Sequence, residues 1–427
     1  MKTAAGITAI KGMRDLLPED TAWFARLEAN AREVFGLYNF DEIRTPVLEP
    51  AELFARAVGE ETDIVGKEMY TFADRDGAAL TLRPEATASA VRAYIEHRMW
   101  ERPGLTRLYY QGPMFRRERP QKGRYRQFYQ IGAEVLGGDA AWIDFELLAM
   151  LRMLLERCGI EGADLVLNSV GCPNDRPRYH AALRAALAPQ LPHMCADCQR
   201  RAQTNPLRVL DCKVPEDQPI IAALPSILDY LDDKCRAHLA ELRTLLEAAG
   251  IGYRMDPRLV RGLDYYTSTA FEFQHGALGS QNALLGGGRY DGLAQSLGAP
   301  ANVGGGIGFA LGEDRFVIAM QAAAGGAGKP PGPRALVVPI TAAELPAALA
   351  LAERLRRQGA RLEVAPPDRK IGRSLELAAK LGAAAALLLG ADEVKERRVA
   401  WKELVSGEQV KLAEAEVAAR LGAGGKA

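Results

Sequence analysis

The sequence predicts an α+β domain followed by a smaller α/β domain, and three observations carry that expectation. The chain has 427 residues, enough for two or three domains at roughly 150 residues each. From Leu105 to Leu136 two β-rich runs flank a polar segment containing Pro120 and Gly123, the pattern of a long-looped hairpin with its tip at Glu118 to Tyr125. From Gln321 to Pro333 the residues are Ala, Gly and Pro almost throughout, a linker composition. Residues 1–325 are therefore assigned to the first domain, 321–333 to the linker and 334–427 to the second domain.

In the first domain, Leu27, Ala31, Val34 and Phe35 recur at helical spacing between Thr21 and Tyr38, and Tyr38-Asn39 breaks the run before a strand ending at Pro46. Residues of about 170–230 hold many prolines, most of the cysteines and no long periodicity, as an insertion would. Beyond the linker, strand-like runs at Ala335 to Val338 and Ala384 to Leu389 alternate with helical ones. One of these sets Leu345, Leu349, Ala352 and Leu355 on one face. Such alternation is the signature of a small α/β domain.

Hydrophobic residues at 48% and charged residues at 25% are an ordinary globular balance. The 54 basic residues cancel the 54 acidic ones, so no global field draws the chain to a polyanion and any nucleic acid must be met by local patches. The N-terminus lacks the basic-then-apolar pattern of a signal peptide. No apolar run approaches the ~18 residues of a membrane span, and a cytoplasmic location with no membrane partner is expected. Six cysteines in a chain of this kind argue against a disulfide framework.

The hairpin carries the chemistry. Six basic residues against one acidic lie between Arg116 and Arg126, dense enough to hold a triphosphate or an RNA end, although a charge run alone is more often a solvated tip. Strand parity favours function. Arg126, Phe128, Gln130, Gly132 and Glu134 share one face, while Tyr129, Ile131, Ala133 and Val135 share the other. A cation, an aromatic plate, an amide and a carboxylate make a poor core and a good site for a nucleotide beside a polar ligand. The glycine runs Gly286 to Gly288 and Gly304 to Gly306 fit neither a Walker nor a dinucleotide fingerprint, and mark turns or close backbone approach.

Phe115-Arg116-Arg117-Glu118 with its basic loop and second strand resembles motif 2 of the class II aminoacyl-tRNA synthetases. The helix and strand ending at Pro46 are similar to the dimer-forming motif 1, and Gly308 to Phe316 resembles motif 3. Leu259 to Thr267, with Arg261, Asp264, Tyr265 and Tyr266, and Gly286 to Leu293 resemble the signatures of bacterial-type histidyl-tRNA synthetases. The likeness extends over essentially the whole chain, including Thr81 to Thr87, with Ala86 where many relatives carry Gly.

This resemblance implies an antiparallel sheet flanked by helices, a C-terminal anticodon-binding domain and a homodimer. It implies that L-histidine is activated with ATP and Mg2+ to histidyl-adenylate and pyrophosphate, then transferred to the 3' end of tRNA(His). Arg116 would hold the α-phosphate and the histidine carboxylate, with Arg261 opposite it, both catalytic. Arg126 and Arg315 would hold the other phosphates, Phe128 would stack on adenine and Glu118 would help seat it. Glu134, Tyr265 and Tyr266 would line the imidazole pocket, and Glu85, Thr87 and Gln130 would take the α-amino group. In the last domain Arg369, Lys370 and Arg373 could meet the tRNA backbone. Two rival readings are a non-catalytic paralogue acting as regulatory subunit of ATP phosphoribosyltransferase and a tRNA-binding sensor module. Both would expect decayed catalytic arginines.

Cys195-Ala-Asp-Cys198, with Cys172 and Cys212, offers four thiols to a structural zinc ion, with Asp175 or His193 as substitute ligands. Cys172-Pro-Asn-Asp175 lacks the second cysteine of a paired knuckle, so ordinary reduced thiols are favoured.

Overall fold

Two strands, Thr106–Phe115 and Gln127–Leu136, pair antiparallel from Thr106 opposite Leu136 to Phe115 opposite Gln127 and form the expected hairpin. The protein is seen here in a computed structural model that describes residues 7–59, 62–121, 123–279, 282–326 and 334–422. It divides into two compact units, Met1–Gly328 and Lys329–Ala427.

Among the described residues of the first unit, eight strands form one sheet. They are β1 (Asp41–Glu42), β2 (Thr106–Phe115), β3 (Gln127–Leu136), β4 (Asp164–Ser169), β5 (Tyr253–Met255), β6 (Thr267–Gln274), β7 (Ala283–Arg289) and β8 (Gly306–Gly312). Their spatial order is β1-β2-β3-β8-β7-β6-β4-β5. The inner six are antiparallel to one another, whereas β1 joins β2 and β5 joins β4 in parallel. The sheet is thus mixed at its edges. Both parallel pairs close long crossovers that pass through helices, the connection a parallel pair requires.

Alternation along β3 sends Ile131, Ala133 and Val135 into the main core, where they meet Leu27, Ala31, Val34 and Phe35 of the helix Pro18–Leu37 and Leu147, Leu151 and Leu154 of the helix Ala141–Arg157. The strand expected to reach Pro46 is only Asp41–Glu42. After Ile43 donates its amide to the Tyr109 carbonyl the chain leaves the sheet, and the buried Arg83 takes the Thr45 carbonyl and hydroxyl, each at 3.1 Å. Residues 321–323 end the helix Glu313–Ala323 rather than belonging to a linker, and residues 327–333 lie outside the described residues.

Between β4 and β5 the chain forms short helices, among them Arg176–Leu187 and Ala196–Thr204, with a small core of their own built on Leu187, Met194, Val209, Leu210 and Ile221. The second unit holds strands β9 (Ala335–Pro339), β10 (Leu362–Val364), β11 (Ala385–Leu389), β12 (Arg398–Glu403) and β13 (Gln409–Ala413) in the order β10-β9-β11-β12-β13. Its helix Leu345–Arg357 buries Ala348, Leu351, Ala352 and Leu355, while Leu349 of the expected stripe is 48% exposed. Ala348 lies fully buried among the sheet residues of this core, a position that suits a small side chain, and the buried stripe is rotated accordingly. Among the described residues no helix is long and apolar enough to cross a membrane.

A fully buried ion pair fastens helix to sheet in the first unit. Arg289, at the end of β7, donates to Asp144 of the helix Ala141–Arg157, to the Gly138 carbonyl and to Asp291, the last at 3.1 Å through Nε. Asp144 also accepts from the Thr269 hydroxyl at 2.6 Å and meets His238 Nε2 at 2.8 Å. Removing one member leaves a buried charge uncompensated. Asp144→Ala should therefore lower unfolding free energy by about 3–5 kcal/mol, measured as a shifted urea midpoint with unchanged slope.

Candidate active site

The polar face of β3 builds the site. Glu134 is completely buried, and its carboxylate accepts from Thr87 Oγ1 at 2.7 Å, from the Tyr110 hydroxyl at 2.9 Å and from the Tyr290 hydroxyl. Glu85 is also buried and accepts from the amides of Thr87 (2.7 Å) and Ala88 (2.9 Å), so it caps the helix Thr87–Glu96 that delivers Thr87. The Tyr265 ring centroid lies 4.7 Å from that of Tyr266 and 5.7 Å from that of Tyr290. Arg261 sits over the Tyr266 ring, 6.0 Å from its centroid, and pairs with Glu272 at 2.9 Å.

Beside this pocket opens a cleft of about 410 Å³ whose lining includes Arg116, Glu118, Phe128, Gln130, Arg261 and Arg315. Six of the expected residues therefore converge. Arg116 donates Nε to the Pro84 carbonyl at 2.8 Å and lies over the Phe128 ring, 5.4 Å from its centroid. Glu118 is paired with Arg124 at 3.2 Å. Burial and the neighbouring Arg124 both press the Arg315 pKa down, an electrostatic strain that an anion would relieve. Gln130 Oε1 and Arg261 Nε are buried with no hydrogen-bond partner among the described residues, open positions that suit a polar ligand.

Arg126 is not in the cleft lining. Its guanidinium bonds the carbonyls of Glu118 (3.3 Å) and Lys11 (3.2 Å), because the chain at Gly12 passes directly against it and offers acceptors. Three contributors escaped the sequence reading: Tyr110, Tyr290 and Glu272. Tyr110 faces Gly132 across the β2–β3 pair, where a Cβ would collide with its hydroxyl, so a glycine inside a strand was the signal for it. Five of the six cysteines fall into two groups, and Cys158 lies in neither. Cys195, Cys198 and Cys212 converge with Asp217, whereas Cys172 lies with Asp175, Asp232 and Cys235. Asp217, rather than Asp175 or His193, completes the first group.

A buried polar cluster adjoining a cleft with room for a nucleotide, on a sheet antiparallel through its middle, is the arrangement of a class II aminoacyl-tRNA synthetase. Comparison with known proteins narrows the class. A family model described as Histidyl-tRNA synthetase matches residues 12–315, and one described as Anticodon binding domain matches residues 334–423. A protein named Histidine–tRNA ligase from Koribacter versatilis is 54% identical over 426 residues, covering 96% of this chain and 95% of that protein. Another of that name, from Solibacter usitatus, is 53% identical and covers 98% and 99%. The crystal structure of apo S. aureus histidyl-tRNA synthetase superposes with a TM-score of 0.80 at 34% identity, covering 97% of this chain and all of that one. The chain belongs to the histidyl-tRNA synthetase family.

Burial pushes the Glu134 carboxyl up to about 8, against the pull of its three hydroxyl donors. In the unfolded chain it ionises near 4.5, so between about 4.5 and 8 the folded state binds the extra proton and stability falls as pH rises. Glu134→Gln keeps an acceptor for the hydroxyls and removes the titration. Its melting temperature should fall less steeply across that window than the wild type's; an unchanged slope would show that Glu134 does not titrate there.

Proposed function

We propose that this chain is a histidine–tRNA ligase, which joins L-histidine to ATP as histidyl-adenylate, releases pyrophosphate and transfers histidine to the 3' end of tRNA(His). The observation that carries the reading is the convergence of Arg116, Phe128 and Arg315 with Gln130 and Arg261 in one cleft beside the Glu134 pocket. Full-length relatives bearing the ligase name support it, and the regulatory-subunit reading is not favoured.

Activation brings a carboxylate to the α-phosphate, so two anions must approach and fixed positive charge is needed more than a base. In the proposed geometry Arg116 and Arg261 flank the reacting centre. Arg261 is held by Glu272 and the Tyr266 ring, so it enters the reaction already oriented. Phe128 offers its face to adenine, with Glu118 beside it, and Arg315 takes the distal phosphates. Arg126, tied to the Glu118 carbonyl, holds that residue in place rather than a phosphate. Glu134, with Tyr265 and Tyr266, reads the imidazole nitrogens. Gln130 Oε1 accepts from the α-ammonium, beside Glu85 and Thr87. A pocket with these buried polar groups rejects apolar amino acids, which would leave them unpaired.

ATP carries Mg2+, whose preference is for oxygen donors. Glu68 and Glu118 both line the cleft, and the Glu68 pKa is raised by burial and by its neighbour Glu118, so a divalent cation would fit there. The exposed Arg369, Lys370 and Arg373 of the second unit supply phosphate contacts for tRNA. Exposed Leu37, Leu48 and Phe72, on the first helix and the small sheet of Leu48–Pro50, Tyr70–Ala73 and Ala79–Leu82, offer an apolar surface to a second copy in a cytoplasmic homodimer.

Purified protein should exchange pyrophosphate into ATP only when histidine is supplied; exchange that is absent, or equal with another amino acid, removes the assignment. Arg261→Ala should lower that exchange rate by about 10²-fold or more with an unchanged circular dichroism spectrum.

A further inference from the structure

We propose that Cys195, Cys198, Cys212 and Asp217 form a structural zinc site, one ion per chain, that stiffens the insertion wall of the cleft. The ligand atoms of all four residues lie within 4.8 Å of one another, and Cys198, Cys212 and Asp217 are buried. Two of the six edges come close to those of a tetrahedron, and the other four lie within 4.8 Å. With Zn–S near 2.3 Å and Zn–O near 2.0–2.2 Å, the S···S edge should be about 3.8 Å and the S···O edge about 3.5 Å. Cys195 Sγ lies 3.8 Å from Cys212 Sγ, and Cys212 Sγ lies 3.3 Å from the Asp217 carboxylate. Three thiolates and one carboxylate suit a closed zinc site with no position left for water.

The local fold brings these donors together from three turns. Cys195 caps the helix Ala196–Thr204, with its Sγ accepting the Cys198 amide at 3.4 Å, so the Cys-x-x-Cys pair wraps the first turn. Cys212 follows the 3-10 turn Pro206–Asp211, and Asp217 ends the turn Pro215–Asp217. The surrounding core is small, and cores of this size commonly need a staple. Asp217 also accepts the Cys195 amide, at 3.2 and 3.3 Å, so the two groups differ in thiol count rather than in main-chain bonding. The other group holds two thiols, and its carboxylates serve as main-chain caps, with Asp175 accepting the amides of Cys172 (3.0 Å) and Asp232 (2.7 Å), and Asp232 accepting that of Cys235 (2.8 Å).

The segment closed by the metal reaches the cleft. Asn205 donates to Asp264 at 2.9 Å, Arg208 lies 3.7 Å from Asp63, and Arg208 and Asp211 both line the cleft. Val260, next to Arg261, packs on the same small core. A zinc ion at Cys195 to Asp217 is therefore placed to hold these residues in position without touching substrate.

The test is metal analysis of the full chain purified under reducing conditions without chelator. About one zinc per chain is expected, retained in Cys172→Ser and lost in the double variant Cys195→Ser/Cys212→Ser. Should the double variant fail to fold, cobalt substitution of the wild type decides, through thiolate charge-transfer bands and the strong visible absorption of a tetrahedral site. Removing the metal should lower the melting temperature and raise KM for histidine more than it lowers kcat. Metal-free protein with all thiols free, a Cys195–Cys212 disulfide, or zinc lost in Cys172→Ser would each overturn the proposal. None of the metal readouts depends on ligase activity.

Discussion

Charged side chains can lie flat on the middle of the sheet only because β7 and β8 carry glycine there, and the site depends on that constraint. A Cβ at Gly286 would fall within the Arg261 guanidinium, one at Gly308 within the Glu134 carboxylate, and one at Gly288 would come 2.9 Å from the Tyr266 ring. The φ angles of these residues lie outside the left-handed region, so the reason for glycine is space rather than turn geometry. Packing then fixes chemistry. The side chains that fill the space arrive from β3 and from the Arg261 to Tyr266 segment, and each is held by a second group: Glu134 by three hydroxyls, Arg261 by Glu272.

Charge is managed by pairing more than by excess. Among the carboxylates lining the cleft, Asp63, Glu118, Glu272 and Asp314 each meet an arginine, so opposite charges fix one another's direction. Arginine suits this role because its fork can hold one partner while another edge faces a ligand. The buried Arg289–Asp144 pair does the same inside the unit, where it fixes the helix Ala141–Arg157 against β7.

Much of this was legible in the sequence because period-two alternation is local. Parity along β3 alone put Phe128, Gln130 and Glu134 on one face, and the glycine runs read as turns or places of close backbone approach, of which the second holds for Gly286 to Gly288. What was not legible came from elsewhere in the chain. Tyr110 and Tyr290 reach Glu134 from two other segments, Glu272 reaches Arg261 across a loop, and Lys11 brings a carbonyl that takes the Arg126 guanidinium. The cysteines show the same limit. Spacing could group Cys195 with Cys198, but only the folded insertion separates Cys172 and brings in Asp217. The strand at Asp41 ends early for a similar reason, since Arg83, about forty residues on, takes the Thr45 carbonyl.

Glu85 carries a further consequence. Its carboxylate closes the first turn of the helix Thr87–Glu96, and that helix delivers the Thr87 hydroxyl to Glu134. A substitution at Glu85 would therefore loosen the helix start and, through Thr87, the hydroxyl cluster on Glu134 together. Such positions are epistatic by construction. Drift at Glu85 would pass through variants whose helix start is already weakened, so the cluster is held against change by the same bonds that shape it.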